Sequence, residues 1–323
     1  MGLKRYGING RVNAGTINTP NTRLQQITTG IGTTTMGVIL AAIGALLLTP
    51  DTFLMRFSQL DGWNMLIWRG GLSSLAYFII WVVLNGRKSL PKAATLSFGV
   101  LICCQILNAV FFSLAIALAP VVVVLIGVST VPIFASLLSI FILNEPVSKL
   151  TLVTALVVMA GLLISLLGNE VGGLRLDTNT LIGLLLGLGV ALALAMNFTL
   201  IRKDSEAPFP LALAIGAMCA ALVGFLFADT LQWLSIAKMI SIAFTGIIIL
   251  PLSFVALSYA ARSIKSSTVS LIMLSETILG PLWVWWGMGE KPTMMMLVGG
   301  GIVISALVVF IMFERKNDES ETA

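Results

Sequence analysis

Apolar runs of about 20 residues, separated by short breaks of Pro, Gly, Asn or charge, recur from residue 30 to residue 313. A helix of that length crosses a hydrocarbon core of about 30 Å. The breaks predict ten spans, near 30–49, 62–84, 95–118, 120–143, 150–168, 180–201, 209–228, 236–261, 266–288 and 292–313. Helices are the element such runs require, because backbone facing lipid must satisfy its polar groups within its own segment or in a closed barrel. The alternating ten-residue pattern of a barrel strand is not seen.

Composition agrees with the pattern. The 323 residues are 58% hydrophobic and 10% charged, with a mean hydropathy of +1.02, which describes an all-α integral membrane protein with no soluble domain. Charge then reads as topology. Of the 19 basic residues, Arg69 falls inside a span. With the N-terminus inside, Arg56, Arg175, Lys238 and Lys291 lie outside and the other fourteen lie inside, a bias that fits ten spans with both termini cytoplasmic. The net charge of +5 therefore calls for no nucleic acid. The first 28 residues hold basic residues, Thr and Asn without an early apolar stretch, and read as a solvated tail rather than a targeting segment. Cys103, Cys104 and Cys219 all sit in apolar runs and suggest buried thiols, neither a disulfide framework nor a metal site. Histidine is absent, and no GxxxxGK[ST] phosphate loop occurs, so no metal, no cofactor and no ATP-driven pump is expected.

Two breaks echo each other. FILNEPVSKL carries Glu145 and GMGEKPTMM carries Glu290, 145 residues later, and that offset aligns Ala115 with Ala260, Val124 with Val269 and Ile133 with Ile278 without a gap. Each half then holds five spans. Five is odd, so the second half enters the membrane in the opposite sense, and Glu145 and Glu290 fall on opposite faces. They are expected to cap or bond their local turn and the following helix, not to form a dyad.

ALAPVVVVLIGVSTVPIFASLLSIFILNEPVS and AARSIKSSTVSLIMLSETILGPLWVWWGMGEKPT, each followed by a glycine-containing span, resemble the two EamA repeats of the drug/metabolite transporter superfamily. Arg69, in IWRGGLSSLAYFI, looks like the Arg often found in the second helix of that family. Two positions depart from the family pattern: Asn144 stands for a Gly and Thr277 for a Pro. The resemblance implies ten transmembrane helices in two inverted five-helix repeats around a central cavity. Its boundaries are a cytoplasmic tail 1–29, a first repeat 30–168, a second repeat 169–313 and a cytoplasmic tail 314–323.

Two ionisable residues stand well inside predicted spans: Arg69, and Glu276 as the single acid. Charges at that depth cost about 2.5 to 3.5 kcal/mol on insertion scales, so they face partners or a wet cavity. Arg69, Ser73 and Tyr77 share one helix face; the stripe lines a cavity, or Arg69 snorkels outward. Glu276 handles substrate or a proton, or is locked in a structural pair with Arg69. The amides of Gln105 and Asn108 read a polar substrate or bond neighbouring helices. Pro132 and Pro251 interrupt spans four and eight and suggest hinges. Trp283, Trp285 and Trp286 suit an interfacial belt better than a stacking wall, and Gly299 to Gly301 suits close helix packing.

These residues predict a secondary transporter, not an enzyme, that moves a small polar or amphipathic metabolite by alternating access. The resemblance implies export of amino acids or related compounds through the inner (plasma) membrane, as a monomer or homodimer in the lipid bilayer. A channel, or a receptor or scaffold without transport, is the alternative.

Overall fold

The computed structural model describes the backbone of residues 20–84, 95–119, 121–146, 148–167, 178–276, 279, 283, 285–286 and 294–321. Thr277, Glu290, Arg87, Lys88, Lys92, Arg175, Lys291 and the residues before Pro20 lie outside that set. The described chain is helical and contains no strand. Its helices are α1 (Pro20–Leu48), α2 (Asp51–Ser58), α3 (Gly62–Leu84), α4 (Leu96–Leu118), α5 (Val121–Val128), α6 (Val131–Leu138) and α7 (Lys149–Leu167). They continue as α8 (Thr178–Lys203), α9 (Phe209–Phe227), α10 (Ile236–Phe244), α11 (Leu250–Ser263), α12 (Ser266–Met273) and α13 (Met294–Glu321). A π-helical turn over Ser139–Leu143 extends α6, and another over Thr245–Ile249 joins α10 to α11.

Seven stretches among the described residues are long and apolar enough to cross a membrane: Thr34–Ser58, Gly62–Leu84, Leu96–Leu118, Val123–Leu143, Thr178–Lys203, Phe209–Phe227 and Ile236–Ser263. Lys149–Ile164 and Leu297–Phe310 are shorter apolar helices, and the expected ninth span is described only in part. The protein is a multi-pass membrane protein. Its outward faces carry exposed Val83, Phe141, Leu226 and Trp286, as lipid contact requires.

Four expected spans are broken rather than straight, and three of the breaks have a local cause. The first extends past its expected end at residue 49: Pro50 ends α1, and Asp51 sits in the first turn of α2, where an acid is favoured by the helix dipole. In the fourth, Ser129 Oγ donates to Ile126 O at 2.7 Å and Thr130 Oγ1 to Gly127 O at 2.6 Å, while Pro132 supplies no N–H. In the eighth, Pro251 follows the second π-helical turn. The ninth also turns at Leu274. Asn144 occupies the left-handed region at φ 55°, which explains why Asn can stand where a Gly is usual. Helix also runs on into both expected tails, from Pro20 and as far as Glu321.

The offset of 145 residues orders the packing. It carries both ends of α5, Val121 and Val128, onto both ends of α12, Ser266 and Met273. The principal interfaces are α3 with α9, α7 with α13, α4 with α8 and α1 with α11. Under the offset the first two map onto themselves, and the last two map onto each other. That is the pattern of a two-fold relation between repeats. Ala115 and Ala260, and likewise Val124 and Val269, are fully buried in both copies. One crossing is especially close: a Cβ on Gly187 of α8 would lie 2.6 Å from the Val124 carbonyl oxygen, and Gly127 meets the Gly187 backbone in the same way. At the other end of the packing, Gly299 O lies 2.9 Å from where a Cβ on Gly161 would stand, so it is Gly161 of α7 that lets α13 approach, whereas a Cβ on Gly301 would meet open space.

Candidate functional site

The breaks and the crossing helices enclose a cavity of about 50 Å³ in the middle of the bundle. Its wall takes residues from α1, α2, α3, α4, α5, α8, α9, α11 and α12 and from Glu276 beyond α12, but none from α7 or α13. Room for about four waters is all that such a volume offers. The apolar part of the wall includes Leu66, Phe112, Leu194, Phe254 and Met273. Its polar part is Asp51, Arg69, Ser73, Gln105, Asn108, Ser113 and Glu276.

The break before α2 brings in a residue that the sequence reading missed. Asp51 is 1% exposed and forms a hydrogen-bonded salt bridge with Arg69 of α3, itself 7% exposed. Two expectations are thereby corrected. Glu276 is not the single acid inside the apolar region, and the ion pair of Arg69 is with Asp51 rather than with Glu276. The physical reason is that a helix restarted by Pro50 turns its first residues inward, with Asp51, Met55 and Ser58 buried along one face. That spacing of four and three in DTFLMRFS was the available signal.

Glu276 is 7% exposed and accepts a hydrogen bond from Thr52 Oγ1 at 3.3 Å. Thr52 adjoins Asp51, so the first and second halves of the chain meet at this carboxylate. Arg69 also lies over the Phe112 ring, 5.7 Å from its centroid, a contact that favours a cation in a dry wall. Several polar atoms in the wall have no hydrogen-bond partner: Asp51 Oδ1, Arg69 Nε, Gln105 Oε1 and Ser113 Oγ. Buried polar atoms are normally paired, so four such atoms around one cavity mark it as a place for a polar solute.

Of the expected site residues, Arg69, Gln105, Asn108 and Glu276 come together in this wall. Tyr77 does not. It is 1% exposed, and its hydroxyl donates to Leu250 O at 3.1 Å, just before Pro251, where it supports the irregular backbone of α11. Pro132 opens α6 and Pro251 opens α11, each beside a helix break next to the cavity. Trp283 Nε1 donates to Thr49 Oγ1 at 2.9 Å, whereas Trp286 is 82% exposed. Trp286 and Trp285, the second 46% exposed, have the exposure of belt residues, and Trp283 does not. Among the described residues no group of three or more Cys, Asp or Glu is placed to hold a metal.

Glu145 works away from the cavity and differently from the local capping role expected of it. Its carboxylate accepts from Arg202 Nε at 3.0 Å, with a second contact from the same guanidinium at 2.8 Å. Arg202 closes α8, so the pair ties the end of the fourth span to the end of the second half's first helix.

The sequence matches the EamA-like transporter family twice, over residues 35–167 and 181–312. No curated protein matches it. A crystal structure described only as that of a protein shares its fold, with a TM-score of 0.69 and 16% identity over 87% of this chain and 97% of the other.

Proposed function

The chain belongs to the EamA-like transporter family, and from that premise we propose that it is a secondary transporter that exports a small polar metabolite, amino acids or their relatives, by alternating access. The observation that carries this reading is the small buried cavity whose wall joins Asp51 and Arg69 from the first repeat to Glu276 from the second. On this reading a solute held there is open to one side of the membrane at a time. It leaves only when the repeats move apart at one end, which is how paired repeats around a midplane site work. The helix breaks at Pro132 and Pro251 adjoin that wall and supply the hinges. Glu276, contacted from the opposite repeat through Thr52, is the group for proton coupling. The bias of basic residues supports two cytoplasmic termini in an inner or plasma membrane, and the chain acts as a monomer or homodimer.

Purified protein in liposomes tests the proposal through counterflow of a pooled, labelled set of small metabolites. Saturable exchange that disappears with Arg69→Met is the expected result. Unsaturable flux with single-channel currents would make it a channel, and metabolite binding without any flux would make it a receptor.

A further inference from the structure

Charge balance in the cavity narrows the solute. Among the described residues Asp51, Arg69 and Glu276 are the buried charged side chains, two acids against one base. Arg69 is committed to Asp51. Among the described residues the hydrogen bond to Glu276 comes from the hydroxyl of Thr52, at 3.3 Å, and Asp51 and Arg69 share its wall. With all three groups ionised the site carries one uncompensated negative charge in an apolar wall. An unpaired buried charge costs several kcal/mol, and a proton on Glu276 or a cationic solute in its place cancels it. A zwitterion brings no net charge and leaves the imbalance as it was.

The unpartnered atoms add a second, independent constraint. Asp51 Oδ1 and Gln105 Oε1 are buried acceptors that want donors, and Ser113 Oγ can accept as well. Arg69 Nε is a buried donor that wants an acceptor. All four belong to the same wall. A primary ammonium supplies three donors and one positive charge, and an adjacent neutral oxygen supplies the acceptor.

Resting on the transporter reading, we infer that this site selects small molecules of net charge +1 that carry a primary ammonium beside a neutral hydroxyl or carbonyl, in preference to the zwitterionic amino acids. The charge of Glu276 sets that preference. The oxygen of the solute lies toward Arg69, and its ammonium lies toward Asp51, Gln105 and Glu276.

L-Alaninamide and L-alanine differ in little but the charge at one end, which makes them the discriminating probes. Calorimetry on the purified full chain at neutral pH is expected to show alaninamide binding about tenfold or more tighter than alanine, a difference of about 1.4 kcal/mol. Propylamine, which lacks the oxygen, should fall between them. Glu276→Gln should bring the two alanine derivatives within about twofold of each other, and Glu276→Asp should keep the preference. Thermal unfolding of each variant shows that it is folded. Alanine binding as tightly as alaninamide to the unaltered protein would overturn the inference, whatever the variants do. So would a preference that survives in folded Glu276→Gln, or the absence of alaninamide binding at millimolar concentration. Flux separates the two proposals: alaninamide binding without exchange in liposomes defeats the transporter reading alone, and saturable exchange that favours alanine defeats the charge inference alone.

Discussion

The two repeats share a scaffold but not a chemistry. Helix ends coincide at an offset of 145 residues, as α5 and α12 do, and the buried serines Ser113 and Ser258 correspond, both with unpartnered hydroxyls. The charged positions do not correspond. Asp51 matches Met196, Arg69 matches Ala214, Gln105 matches Leu250 and Glu276 matches Val131. Even the shared helix break differs. In the first repeat Thr130 bonds back to Gly127 of its own helix, whereas in the second the chain emerges from the break with Glu276 bonded across to Thr52. Repetition of the backbone gives two halves of matching geometry. Repetition of the charges would have placed twice as many ions in one small cavity, at a cost the bundle could not offset. One polar set on a two-fold scaffold therefore defines one site.

The sharpest way to separate scaffold from chemistry is to remove Arg69. Arg69→Met leaves Asp51 and Glu276 without their base, and loss of about 3 to 5 kcal/mol of stability is expected, as for any broken buried pair. Arg69→Met with Asp51→Leu replaces the pair by apolar volume and should regain most of that stability while exchange in liposomes stays absent. Thermal unfolding and counterflow on the same preparations check both halves of the statement. Recovery of exchange in the double variant would show that the ions serve folding alone.

Next in size is the scaffold itself. Gly187→Ala forces a methyl to within 2.6 Å of the Val124 carbonyl oxygen. Backbone must shift, at about 1 to 3 kcal/mol, and the melting temperature should fall accordingly. The matched position in the first repeat already holds Ala42, so this close crossing belongs to one repeat only. An unchanged melting temperature would mean that α5 and α8 have slack that their approach does not suggest.

The matched breaks supply a finer contrast. Thr130→Val removes one local hydrogen bond, should cost about 0.5 to 1.5 kcal/mol, and should leave exchange within about twofold. Glu276→Gln should do the reverse, with unfolding little changed and exchange of a net-positive solute reduced about tenfold, equivalent to about 1.4 kcal/mol. If the two variants behave alike, the asymmetry between repeats has no functional content.

Much of this was legible in the sequence because hydrophobic length and internal repetition are chain-local signals. Gly62–Leu84 and Phe209–Phe227 fall almost where the apolar runs place them, and the offset read from Glu145 and Glu290 also relates helix ends. The buried Arg69, Gln105, Asn108 and Glu276 stood out because polar groups are costly in apolar runs. Asp51 did not, since a Pro-Asp pair at the end of an apolar run looks like a loop. The four-and-three spacing of Asp51, Met55 and Ser58 hints at a helix face, but whether that helix leaves the bundle or restarts inside it depends on what packs against those residues. Tyr77 failed for a related reason: it shares a stripe with Arg69, yet the stripe turns from the cavity toward Leu250 O within two turns of helix.

The smallest expected effect concerns the tie between repeats rather than the site. Glu145 and Arg202 are 30% and 22% exposed at their side chains, so water screens their attraction, and pairs of this kind contribute about 0.2 to 1 kcal/mol. Glu145→Gln should hardly move the melting temperature. Yet if the repeats rock as proposed, a contact made only while they are close at that end stabilises one arrangement over the other by its full, if small, energy. Loss of about 0.8 kcal/mol would change the ratio of the two arrangements about fourfold. Added salt should produce the same shift in the unaltered protein and little in Glu145→Gln. Cross-linking of cysteines placed on either side of the pair measures that ratio without relying on transport, and equal salt responses in the two proteins would remove Glu145 from the motion altogether.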